Sequence, residues 1–81
     1  MNDKTVRDAY MEVAVNQIET GDPPEARATL DRLLAAGQSK GEALQLIAAV
    51  ARKEMQSMLA AGREFDSARY AKLLAKLPEL D

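Results

Sequence analysis

The chain has 81 residues, enough for one small domain. It holds no cysteine and no histidine, which excludes a disulfide, a zinc site built from Cys and His, and a Ser-His-Asp or Cys-His nucleophilic centre within the chain. With 11 basic residues against 13 acidic ones, its net charge of −2 is not the electrostatic footprint of a general nucleic-acid binder.

A first helix is predicted over about residues 3–20, capped by Asn2 or Asp3 and stopped by Gly21. Val6, Tyr10, Val13 and Ala14 form one apolar stripe, and Met11, Val15 and Ile18 form an adjoining one. Gln17 falls on the first stripe. A buried amide without partners costs about 1–3 kcal/mol, so Gln17 is expected to bond a carbonyl at a helix end or the Tyr70 hydroxyl. Tyr10, Gln17 and Tyr70 are the candidate interior polar site.

A second helix is expected over about 23–36, with Asp22 as its cap, Pro23 at its first position, Glu25 at its third and Gly37 as a left-handed stop. Its apolar stripe is Ala26, Leu30, Leu33 and Leu34. Ser39-Lys40-Gly41-Glu42 is a capping box that opens a third helix over about 40–61, closed by Gly62. Leu44, Ile47, Ala48, Ala51, Met55, Met58 and Leu59 make its central stripe, and Leu46, Ala49 and Ala60 lie opposite. A fourth helix runs over about 67–77, from a cap at Asp66 to Pro78, and turns Tyr70, Leu73, Leu74 and Leu77 to one side. No segment alternates with period two, so the fold predicted is an all-α compact bundle of four helices in a single domain, 1–81.

Helices one and three are apolar on more sides than three neighbours are expected to cover. Met11, Val15, Ile18, Leu46 and Ala49 are therefore the candidate interaction surface, with Leu46 expected to be dispensable to the monomer's own core. The expected partner is a second copy in a two-fold homodimer, with an unidentified protein as the other possibility.

Chemistry is sparse. Glu42 and Glu54 lie twelve residues apart on one helix, about 18 Å along its axis, and cannot share a ligand. Asp8 and Glu12 can meet at i, i+4, but two carboxylates are few for a hard cation, so the acidic residues read as a solvated face. Arg52, Lys53, Arg63, Arg69, Lys72 and Lys76 read the same way, their charge diluted by Glu42, Glu54, Glu64 and Asp66. Met55, Met58, Phe65 and Tyr70 cluster late in the chain; methionine is common on binding surfaces, but at helical spacing the Met55–Met58 pair reads as core. The turn from Leu33 to Ser39 fits a helix-turn-helix, but the helix after it opens with Glu42 and Gln45 rather than arginine or lysine. No EF-hand loop, P-loop, dinucleotide glycine pattern or HExxH occurs, and no apolar run approaches the roughly 20 residues of a membrane span. The expected function is a non-enzymatic, cytoplasmic interaction or self-association module without cofactor or metal. The alternative is a small-molecule or cation-binding protein, and a DNA-associated regulator ranks behind both.

Taken together, Asp22-Pro23-Pro24-Glu25, Leu33-Leu34-Ala35-Ala36-Gly37, Glu42-Ala43, Ile47-Ala48, Glu54, Phe65-Asp66, Arg69-Tyr70 and Leu77-Pro78 resemble a family of small bacterial all-helical proteins grouped as a domain of unknown function. The resemblance spans roughly residues 10–80 and rests on caps and core positions. It implies a bacterial cytoplasmic protein and supplies no activity. Some longer members carry histidines in the first helix and near the start of the third; Val13-Ala14-Val15, Lys40 and Ala43 stand there instead, so no metal role carries over.

Overall fold

The computed structural model describes residues 3–79, with side chains from Thr5 onward. Four helices follow one another: α1 (Asp3–Thr20), α2 (Pro24–Ala35), α3 (Lys40–Ala61) and α4 (Ser67–Ala75). No strand occurs among the described residues, and the all-α four-helix architecture is as the periodicity predicts. The cap expected at Asn2 or Asp3 lies outside the described residues and side chains.

Local chemistry sets most boundaries. The Ser39 hydroxyl accepts from the Glu42 N–H at 3.1 Å and donates to the Glu42 carboxylate at 3.0 Å, so the capping box forms. Asp66 accepts from the Arg69 N–H at 3.0 Å and caps α4. Gly37, at φ 99°, and Gly62, at φ 63°, adopt left-handed conformations that other residues resist. Beyond them, Gln38 N–H reaches the Leu33 carbonyl and Arg63 N–H reaches that of Met58, which closes α2 and α3 with Schellman motifs.

The start of α2 differs from expectation. Asp22 is not its cap: the N-cap residue is Pro23, with no side-chain bond, and Pro24 holds the first helical position. The reason is the paired prolines. A residue before proline is pushed out of the α region, and Pro23 sits at ψ 149°. α2 also ends at Ala35 rather than Ala36, and α4 at Ala75 rather than Leu77.

α2 and α3 each pack against all three other helices, the most extensive packing being that of α3 on α1, whereas the backbone of α1 neighbours α2 and α3 but not α4. The face of α3 that is buried is Ala43, Ile47, Ala48, Val50, Ala51 and Glu54. This arc is rotated from the expected stripe: Leu44, Met55 and Met58 are half-buried and Leu59 is exposed. The expected stripe holds apolar residues only, whereas the buried arc also takes in the carboxylate of Glu54. On α2, Ala26, Leu30 and Leu33 are buried as predicted, but Leu34 is exposed and Thr29 joins the buried face instead. The Thr29 hydroxyl donates to the Glu25 carbonyl at 2.7 Å, which satisfies it inside the core.

Candidate functional site

Three groupings of side chains could carry chemistry or contact. The first is the expected interior polar site. Tyr70, on the first turns of α4, is 1% exposed. Its hydroxyl donates to Gln17 Oε1 at 2.7 Å. Because the backbones of α1 and α4 do not pack on each other, this bond ties together two helices otherwise joined through α2 and α3. The Phe65 ring stands edge-on to Tyr70 at 5.4 Å between centroids and 63° between planes. Burial pushes the Tyr70 phenol up to about 12, so it is neutral at physiological pH. Tyr10 is not part of this pair. It lies half-buried in a cleft between α1 and α3, so the structure brings two of the three predicted residues together and leaves the third apart.

The second grouping is one the sequence reading assigned to solvent. Glu54 is 0% exposed. Arg63, from the α3–α4 connection, meets Oε2 at 2.8 Å and Oε1 at 3.3 Å with its two terminal nitrogens. Arg69 Nε, on α4, stands 3.0 Å from Oε1. Arg63 also donates to the Ser57 hydroxyl at 3.0 Å and the Glu64 carbonyl at 3.2 Å. The Arg63 hydrogen bonds hold the Glu54 carboxyl below the usual carboxylate range. Burial opposes them, while the Arg63 charge, the Asp66 backbone N–H and the Arg69 charge add to them. A carboxylate with both oxygens occupied by donors neither takes up a proton readily nor has room for a metal. Its work is to fix the α3–α4 connection. The signal was present in the sequence, since Glu54 lies seven residues beyond Ile47 and three beyond Ala51, on the core arc, with arginines following. Arg32 has a related role: its guanidinium donates to the Leu77 carbonyl at 2.8 Å and the Leu74 carbonyl at 3.0 Å, and so closes the end of α4.

The third grouping concerns contact with other chains. Met11, Ile18 and Leu46 are half-buried and pack against the chain's own core, so Leu46 touches the core it was expected to stand clear of. The correction follows from α3 having neighbours on three sides. Ala49 lines the α1–α3 cleft. Val15 is half-buried on the outer side of α1, beside exposed Glu12, Asp8 and Glu19. These five residues therefore do not form a free apolar face. Among the described residues, the large apolar side chains left in solvent are Leu59 at 75% exposure, Phe65 at 43% and Leu34 at 40%. Leu59 is on the last turn of α3 and Phe65 six residues beyond it, while the half-buried Met55 and Met58 share the final turns of α3. Of Leu59, Phe65 and Leu34, Leu59 is the most exposed, and Leu34 stands on a different helix, α2.

Among the described residues no group of three or more carboxylates converges on a point where a metal could sit, and no helix is long and apolar enough to cross a membrane. Comparison with family models, with curated proteins and with solved structures finds no match.

Proposed function

We propose that this protein is a non-enzymatic self-association module whose contact surface is the C-terminal end of α3 and the connection after it. The observation that carries the reading is the exposure of Leu59, with Phe65 close by in sequence and partly exposed. A leucine three-quarters in water gains by burial against another chain at about 25 cal/mol per Å² of apolar area covered. A second copy is the natural occupant: homo-oligomers with two-fold symmetry are the commonest assemblies, and a net charge of −2 sets little repulsion between two copies. The internal polar groups favour a structural rather than a catalytic role, since Glu54 is held ionised between two arginines and Tyr70 is held neutral. The bacterial, cytoplasmic setting rests on the sequence resemblance.

The test is molar mass by light scattering across micromolar concentrations. The wild type is expected to approach twice the 8.8 kDa chain mass, and Leu59→Glu to return to the chain mass with its helical content intact. A wild type that stays at the chain mass throughout overturns the proposal.

A further inference from the structure

We propose that the cleft between α1 and α3 binds a small phosphate monoester with a compact apolar body. The cleft has a volume of about 220 Å³. Its two walls come from different helices, with Arg7 and Tyr10 on α1 and Gln45 and Arg52 on α3. Ala48 and Ala49 open the space, because small side chains there leave a gap that larger ones would fill, and Met11 adds to the apolar lining.

The arginines point to the ligand. The chain has six. Four bond to the chain itself: Arg27 approaches Asp31 at 3.7 Å, Arg32 binds carbonyls at the end of α4, and Arg63 and Arg69 share Glu54. The guanidinium groups of Arg7 and Arg52 have neither an ion pair nor a hydrogen bond among the described residues, and these two side chains line the same cleft from opposite walls. Asp8 and Glu12 of α1 lie on its outer face, away from the cleft, and no carboxylate lines it.

Two unpaired guanidiniums beside one apolar space match an anion attached to an apolar body. A phosphate monoester carries about −1.5 to −2 charges at neutral pH, against one for a carboxylate, and its oxygens suit the forked geometry of arginine. The Tyr10 hydroxyl and the Gln45 amide add neutral donors at the same site. A volume below the roughly 300 Å³ at which drug-sized pockets begin restricts the body to about one ring. A polynucleotide is not the fit, because the cations are two and confined to one cleft.

The experiment follows backbone amide resonances during titration with phenyl phosphate, benzoate and inorganic phosphate. Wild type, Arg7→Gln and Arg52→Gln are compared, with Arg52→Lys as a charge-conserving variant. Phenyl phosphate is expected to shift residues 7–11 and 45–52 saturably, with a Kd on the order of 1 mM or tighter. Each glutamine variant is expected to weaken binding at least tenfold, and Arg52→Lys by less. Benzoate and inorganic phosphate are expected to bind several-fold more weakly than phenyl phosphate. The monomeric Leu59→Glu protein is expected to bind as the wild type does, which separates this site from self-association. The absence of a saturable shift, or equal affinity in wild type and both glutamine variants, overturns the site. Benzoate binding as tightly as phenyl phosphate overturns the phosphate assignment, and inorganic phosphate doing so overturns the apolar body.

Discussion

Replacing Tyr70 with Phe removes one hydroxyl from the core and leaves Gln17 Oε1 without its donor. Gln17 is half-buried, so its oxygen regains some water, and the loss is expected to be about 1 kcal/mol. For a domain of this size that lowers Tm by about 4–8 °C. Gln17→Leu strands the other partner. The Tyr70 hydroxyl is almost fully enclosed, so the loss is expected to be larger, about 1–3 kcal/mol. In the double variant both polar groups are gone, and the total is expected to fall short of the sum of the singles by about 1 kcal/mol. Urea unfolding of the four proteins gives the coupling directly. A coupling of no more than about 0.3 kcal/mol would refute the bond as a link between α1 and α4, since independent sites add to within roughly that margin. Alkali offers a second reading. Tyr70 titrates higher in the folded protein than in the unfolded chain, so its contribution is complete below about pH 10 and declines as pH rises through about 12. Tyr70→Phe is expected to lose stability less steeply than wild type across that interval.

Further outcomes follow from the same geometry. Asp22→Ala is expected to leave the unfolding midpoint nearly unchanged, whereas Ser39→Ala is expected to cost about 1 kcal/mol, because only Ser39 bonds a helix N–H. Leu46→Glu is expected to destabilise the monomer by about 2 kcal/mol or more in thermal unfolding, since Leu46 packs against the core. The Glu54 carboxyl titrates below its ordinary value of 4.5, so its contribution is present above about pH 4.5 and is lost as pH falls through the lowered value. Glu54→Gln is therefore expected to be less stable at neutral pH and to show a shallower further decline in acid, read as urea midpoints from pH 7 to 2.

The features legible in the sequence are those set by neighbours a few residues away. Ser39 and Asp66 cap because a short oxygen-bearing side chain finds an N–H three residues on, and Gly37 and Gly62 stop helices because their own backbones turn left-handed. The Gln17–Tyr70 bond was legible for a different reason: a polar residue on an apolar stripe demands a partner, and few were on offer. What escaped depends on residues distant in sequence. Glu54 is tolerated inside only because Arg63 and Arg69, nine and fifteen positions later, fold back onto it. Apolar periodicity alone centred the predicted core face of α3 on the Leu44–Met55 side and left Leu46 opposite, whereas the buried arc runs through Ala43, Val50 and Glu54 and leaves Leu59 exposed. The start of α2 was missed although its cause is local, because the effect of Pro24 on Pro23 outweighs the capping capacity of Asp22.

Self-association through the end of α3 is tested most directly by isotope-filtered NMR on a mixture of labelled and unlabelled chains. The account predicts intermolecular contacts from the Leu59 methyl groups of one chain to Leu59 and Phe65 of the other, at concentrations where light scattering reports the dimer. A dimer whose intermolecular contacts come from Val15 on the outer face of α1, with none at Leu59, would contradict it.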